Sequence, residues 1–164
     1  MRRDDSEFTA FVAARGAALR RAAYLLCGDW HRAEDLVQTA LVKVYVAWPR
    51  VEAETAGAYA RQAVVRVFLD SRRRRSSSET PTDSFAERPT ADQAPDDRLV
   101  LMQALGALPP GQRAAVVLRY WEDLTVEEVA RLLNVSAGTV KSQCSKGLIA
   151  MRLLLTPSTP EVPR

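Results

Sequence analysis

The sequence predicts an all-α chain folded as two small helical domains. Three observations carry that expectation. Apolar residues recur at three- and four-residue spacing on both sides of the chain's middle. No stretch alternates apolar and polar residues with the two-residue period of a half-buried strand. One segment rich in proline, serine and aspartate interrupts the helical periodicity and divides the chain.

The first helix is marked by Phe8, Phe11, Val12, Leu19, Ala22, Ala23 and Leu26, and Gly28 suits its stop. Asp29 is placed to cap the second. There Ala33, Leu36, Val37, Ala40, Leu41, Val44, Tyr45 and Trp48 form one stripe, which Pro49 ends. A third helix starts near Thr55 and runs into Arg72 to Arg75. These elements make an N-terminal domain over residues 4–75. Residues 76–98 hold three prolines, four serines and one aromatic. That composition buries too little apolar area to offset the entropy of ordering, so a flexible, disordered linker is expected over 76–95.

A C-terminal domain over 96–155 should contain four helices. One covers about 96–107, and Leu108-Pro109-Pro110 breaks it. The others span roughly 111–120, 125–133 and 137–155. The tail 156–164 has three prolines in nine residues and is expected to fray.

The 164 residues are 47% apolar and 26% charged, as in a globular chain. Aromatics are only 7%, so the core must be built mainly from Ala, Leu and Val. Cys27, Cys144 and the single histidine, His31, supply no zinc-ligand set and no disulfide framework. No nucleophile motif surrounds His31. No catalytic residue, metal or cofactor is therefore expected, and the chain is not read as an enzyme. No run approaches the roughly 18 apolar residues of a spanning helix, and Met1-Arg-Arg-Asp-Asp leads into no signal-peptide core. A cytoplasmic location without membrane insertion is the expectation.

The net charge of +3 hides an asymmetry. Residues 1–75 carry 14 basic and 9 acidic side chains, residues 76–98 carry 2 and 6, and residues 99–164 carry 7 and 5. Two basic blocks flanking an acidic one suggest a polyanion partner for the outer blocks.

The sharpest local pattern runs from Thr125 to Gln143. Thr125 with Glu128 makes a capping box, Ala130 is small where helices must cross, Asn134 tolerates the left-handed turn, and Ser136 caps the next helix. Val129, Leu133, Val135 and Val140 would share the core. This is helix-turn-helix spacing, in which the second helix enters the DNA major groove, and the alternative is an ordinary helical hairpin. On the last helix Val140, Cys144, Leu148, Met151 and Leu155 should face inward, making Cys144 a core residue. Ser136, Gly138, Thr139, Lys141, Ser142, Ser145 and Lys146 lie at its start or outer side, where hydroxyls and lysines suit base edges and phosphates.

A second pattern covers 57–75. Ala60, Ala63, Val64, Val67 and Phe68 face one way, while Tyr59, Gln62, Arg66 and Arg73 gather on another arc, with Arg61 and Arg72 nearby. An aromatic, an amide and arginines on one stripe suit unstacked bases and phosphates, although the arginine run alone would also serve a helix C-terminus. A third pattern begins at Ala33. Glu34, Asp35, Gln38 and Thr39 lie off the apolar stripe and are free for a protein partner.

In this order the three blocks resemble bacterial RNA polymerase sigma factors of the sigma-70 family, extracytoplasmic-function (ECF) type. Ala33-Glu-Asp-Leu-Val-Gln is similar to the start of the segment of sigma region two that docks on the polymerase clamp helices. Residues 57–75 resemble its minus-ten segment. Leu108-Pro-Pro-Gly-Gln-Arg through Lys146 resembles region four, which binds the minus-thirty-five element and the polymerase flap. Gln38-Thr-Ala-Leu resembles one actinobacterial branch. The family commonly has Glu at Thr39, Asn at Arg66 and Arg at Gln143, departures that bear on promoter sequence.

The resemblance implies a sigma factor that directs core polymerase to promoters and supports melting. Its minus-thirty-five contacts would be Ser136, Gly138, Thr139, Lys141, Ser142, Ser145 and Lys146. Its minus-ten contacts would be Tyr59, Arg61, Gln62, Arg66, Arg72 and Arg73, helped by the loop from Pro49 to Gly57, where the family captures a flipped base. Glu34, Asp35, Gln38 and Thr39 would meet the polymerase, and an anti-sigma factor is a further candidate partner. The alternative is a one-component helix-turn-helix regulator whose N-terminal helices sense a ligand.

Overall fold

The computed structural model describes residues 4–77 and 97–156, and every regular element among them is helical. Residues 78–95 of the expected disordered linker and the frayed tail beyond Thr156 lie outside the described residues. The N-terminal domain comprises α1 (Asp5–Cys27), α2 (Trp30–Ala47), a 3-10 turn (Trp48–Arg50) and α3 (Ala56–Ser77). The C-terminal domain comprises α4 (Asp97–Ala107), α5 (Pro110–Val116), a π-helical segment (Val117–Trp121), α6 (Val126–Leu133) and α7 (Ala137–Leu155).

Local chemistry sets the boundaries. The Asp4 carboxylate accepts from the Ser6 and Glu7 backbone N–H groups at the start of α1. Gly28, at φ 74°, closes that helix with its N–H on the Tyr24 carbonyl at 2.7 Å. Asp29 then caps α2, accepting from His31 and Arg32 N–H at 2.8 and 3.0 Å. Those bonds hold its carboxyl below the usual range, the one from Arg32 contributing most. Pro49 admits only the short 3-10 turn after α2.

The first three helices bury Leu19, Ala23, Leu26, Val37, Val44, Trp48, Val64 and Phe68. Tyr45, expected on the buried stripe, is instead exposed at the rim. Its ring stands edge-on to Phe8 at 5.0 Å and its hydroxyl donates to Asp5 at 2.9 Å. An amphipathic tyrosine keeps its polar tip in water at small cost.

In the C-terminal domain α7 packs against α4, α5 and α6. Its buried face is Val140, Cys144, Gly147 and Met151, which corrects the expected stripe. Leu148 is half-buried and Leu155 is exposed, because Gly147 brings the backbone of α7 against α5 and shifts the contact line. A Cβ built on Gly147 would stand 2.8 Å from Val116 Cγ2, so a hydrogen there is what the packing requires. Val135, also expected inside, is exposed at the turn. The single helix expected over 111–120 is in fact seven residues of α-helix followed by the π segment, with Glu122 N–H bonded to the Val117 carbonyl five residues back.

The two domains meet, α1 and α3 packing against α4, α5, α6 and the π segment. Arg113 of α5 is 1% exposed. It donates from Nη1 to the Leu26 carbonyl at 2.7 Å and from Nη2 to the carbonyls of Leu108 and Gly106 at 2.8 and 3.1 Å. Its guanidinium also lies 5.8 Å from the Phe68 ring centroid. At the other side of α1, Tyr24 and Trp30 stack at 4.0 Å, and the Arg98 guanidinium sits 5.6 and 5.9 Å from their ring centroids. α3 continues to Ser77, two residues into the segment assigned to the linker.

Candidate nucleic-acid interface

The helix-turn-helix is built from the bonds its spacing implies. Thr125 Oγ1 accepts from the Glu128 N–H at 3.1 Å, and the Glu128 carboxylate accepts from the Thr125 N–H at 2.7 Å. The latter bond holds the Glu128 carboxyl below its usual range. Asn134 takes the left-handed conformation at φ 56° and ends α6. Ser136 then caps α7, its hydroxyl accepting from the Thr139 N–H at 3.0 Å. Val129 and Val140 are fully buried between the two helices.

This arrangement leaves one side of the first turns of α7 open. Ser136, Gly138, Lys141, Ser142, Ser145 and Lys146 are exposed, and Thr139 is half-buried by its bond to Ser136. Ser136, Gly138, Thr139, Ser142 and Lys146 line one shallow groove with Pro109 and Gln112. Cys144 points the other way and is buried, which pushes its thiol up. Short hydroxyls and two lysines on an accessible helix face can meet base edges and phosphates.

On α3, Tyr59, Arg66 and Arg73 are exposed, whereas Arg61, Gln62 and Arg72 are half-buried. The helix is continuous from Ala56 to Ser77, so Tyr59, Gln62, Arg66 and Arg73 do share one side. Arg72 turns back over the Phe68 ring at 5.8 Å. Beside the start of α3, Arg50, Val51, Glu52, Thr55 and Tyr59 line a depression with Val42 and Val46 of α2. Those two valines are 63% and 68% exposed, an apolar wall that the sequence reading passed over. Their i, i+4 spacing off the core stripe was the available signal.

On α2, Asp35, Gln38 and Thr39 are exposed. Glu34 is half-buried, accepts from Gln38 Nε2 at 3.0 Å and lies 3.8 Å from Arg20. Asp35 and Thr39 line a cleft with Lys43, Phe68 and Arg72. Among the described residues no cluster of three metal-ligating side chains occurs, and no helix is long and apolar enough to cross a membrane.

The described residues thus form a two-domain helical chain, with a capped helix-turn-helix in one half and a basic helix with an exposed tyrosine in the other. The model for sigma-70 region 2 matches residues 11–78, and that for sigma-70 region 4 matches 98–151. The RNA polymerase sigma-E factor of Streptomyces coelicolor is 40% identical over 149 residues, covering 89% of this chain and 84% of that protein. The ECF RNA polymerase sigma factor SigL of Mycobacterium tuberculosis is 32% identical over 150 residues, covering 85% and 83%. Among solved structures, the sigma factor RpoE of Bartonella quintana, in complex with the anti-sigma factor NepR, superposes with a TM-score of 0.76. It is 25% identical and covers 93% of this chain and 99% of that one. The chain therefore belongs to the sigma-70 family, as a sigma factor of the ECF type.

Proposed function

We propose that this sigma factor joins core RNA polymerase, places α7 in the major groove of the minus-thirty-five element and holds the melted minus-ten strand on α3. The observation that carries this is the pairing of two different nucleic-acid surfaces on one chain. A capped recognition helix presents short polar groups for duplex edges, and a basic helix with an exposed tyrosine suits unpaired bases.

The duties divide by residue. Lys141, Ser142, Ser145 and Lys146 would read or anchor the upstream duplex, with Ser136, Gly138 and Thr139 at the helix start near the phosphates. Tyr59, Arg61, Gln62, Arg66, Arg72 and Arg73 would hold the opened strand. The depression beside Arg50, Glu52 and Tyr59 has an apolar wall and a polar mouth, a shape suited to one unstacked base. Asp35, Gln38, Thr39 and Glu34 would meet the polymerase clamp, and region four its flap. The protein contributes binding and orientation and no catalysis of its own, and it works in the cytoplasm with its polymerase. The likeness to the RpoE bound by NepR supports an anti-sigma partner. A one-component regulator is not favoured, because the N-terminal half matches sigma region 2 where a sensing domain would stand.

Run-off transcription with purified chain and core polymerase tests this. Promoter-specific product only when the chain is present is expected. Product that is independent of the chain overturns the proposal.

A further inference from the structure

We propose that the cleft between α2 and the end of α3 binds a nucleoside di- or triphosphate, in competition with the polymerase. The competition rests on the assignment of Asp35 and Thr39 to polymerase contact, whereas the site itself does not. Three helices meet at this cleft. Cys27 ends α1, Arg32, Leu36, Thr39 and Lys43 follow one stripe of α2, and the last turns of α3 lie alongside. The cavity holds about 380 Å³, within the roughly 300–1,000 Å³ of small-molecule sites.

The lining sorts into a floor and a rim. Leu36 and Phe68 are buried, Val67 is half-buried, and the Cys27 thiol donates to the Asp29 carbonyl at 3.2 Å. Burial pushes that thiol up, so it stays neutral and the floor is apolar. Around it stand five cations, Arg32, Lys43, Arg72, Arg74 and Arg75, and two carboxylates, Asp35 and Asp70, a net +3. Cations from two facing helices above one apolar floor suit a flat ring that carries several phosphates. The carboxylates count against a bare anion. Each repels phosphate, yet each accepts from a ring N–H or a ribose hydroxyl. A DNA strand, with one phosphate per base, is the poorer match to cations converging on one small cavity.

The site overlaps the surface assigned to the polymerase. Along α2, Arg32 and Lys43 stand about 16 Å apart, so a ligand reaching both lies across Asp35 and Thr39. Polymerase seated on those two residues and nucleotide in the cleft therefore exclude each other. Linkage makes the effect reciprocal, each ligand weakening the other by the same factor.

Calorimetry on the full chain with ATP or GTP tests the site, with inorganic triphosphate and the nucleosides as its separate halves. The intact nucleotide should bind about ten-fold or more tighter than either half. Lys43→Glu and Arg75→Glu, both at exposed positions, should each weaken it about ten-fold, and Arg152→Glu on α7 should not. No nucleotide binding overturns the proposal. So does triphosphate that binds as well as the nucleotide, or an Arg152→Glu loss equal to the others, since either shows only general attraction of polyanions. A minus-ten oligonucleotide that displaces the nucleotide gives the cleft to the promoter strand and overturns it too. Gel shift with core polymerase reads the competition. Saturating nucleotide should raise the chain concentration for half-assembly about five-fold or more, and the Arg75→Glu chain should not respond. An unchanged midpoint overturns the competition if Asp35→Arg weakens assembly. If Asp35→Arg assembles normally, the polymerase assignment has failed and takes the competition with it, and calorimetry decides the site.

Discussion

Arg113 on α5 closes the end of α1, donating from Nη1 to the Leu26 carbonyl at 2.7 Å. The last turn of α1 carries no basic residue of its own, so a cation rooted in the other domain meets the negative end of its dipole. The same guanidinium holds the carbonyls of Gly106 and Leu108 at the α4–α5 turn. One side chain therefore ties a domain boundary to an interhelical turn.

Arg113→Ala should destabilise the chain by about 2–4 kcal/mol, since it strands buried carbonyls as well as removing charge-assisted bonds. Arg113→Lys should recover only part of this, because an ammonium cannot span three carbonyls as the guanidinium fork does. Urea unfolding measures both. A cost below about 0.5 kcal/mol for the alanine variant would place those carbonyls in reach of water.

Gly147→Ala should cost about 1–3 kcal/mol through overpacking against Val116, whose Cγ2 would lie 2.8 Å from the new methyl. Val116→Ala costs stability by itself, yet combined with Gly147→Ala the penalties should be strongly non-additive. Additive penalties in a thermal-melt cycle would show that α5 and α7 relax apart instead.

The fold was largely legible, because each boundary depends on one or two local residues. Gly28, Asp29, Pro49, Thr125 with Glu128, Asn134 and Ser136 act within four positions of themselves, and each has the expected role. What escaped depends on partners remote in sequence. Gly147 is buried because of Val116, Glu122 is held by Arg61, and Arg113 reaches Leu26 across 87 positions. No period within one helix encodes such pairs. An arginine among Ala114, Ala115, Val116 and Val117 was the one available hint of a buried charge.

Acid should weaken the fold through its caps. Asp4, Asp29 and Glu128 all have carboxyls held below their usual range by hydrogen bonds to the ionised form. The unfolded chain therefore binds protons first. Stability contributed by these groups is fully present above the ordinary carboxylate pKa of about 4 and is lost as pH falls through the lower folded values. Urea midpoints between pH 7 and pH 3 should fall with acid. Asp29→Asn keeps a good cap without the charge, so it should match the parent at pH 7 within a few tenths of a kcal/mol and show a flatter decline. Equal slopes would remove Asp29 from the account.

On α7, Lys141→Ala, Ser142→Ala and Lys146→Ala should weaken promoter binding by about 1–3 kcal/mol where a base contact is lost and by less for a phosphate. All three side chains are exposed and remote from the core, so folding should be unaffected. Loss of charge at Lys146 should also reduce the salt slope by about one unit. Normal upstream footprints in all three variants would refute the placement of α7 in the groove.

The last prediction separates duplex reading from melting. Arg66 and Arg73 share the exposed side of α3 with Tyr59. Stacking and backbone contacts require unpaired bases, whereas the recognition helix needs an intact major groove. Arg66→Ala/Arg73→Ala should therefore leave polymerase binding intact and lower open-complex formation. A pre-melted bubble template should restore part of the lost transcription, because the strand is then presented without the cost of opening. Asp35→Arg should do the reverse. Asp35 is exposed on α2 in the cleft with Thr39 and Lys43, so its reversal should weaken polymerase binding while α3 still binds a single strand. Permanganate footprinting reads opening, and gel shift with core polymerase reads assembly. Normal opening by the double arginine variant would reduce α3 to a solvated helix, and the minus-ten assignment would fall with it.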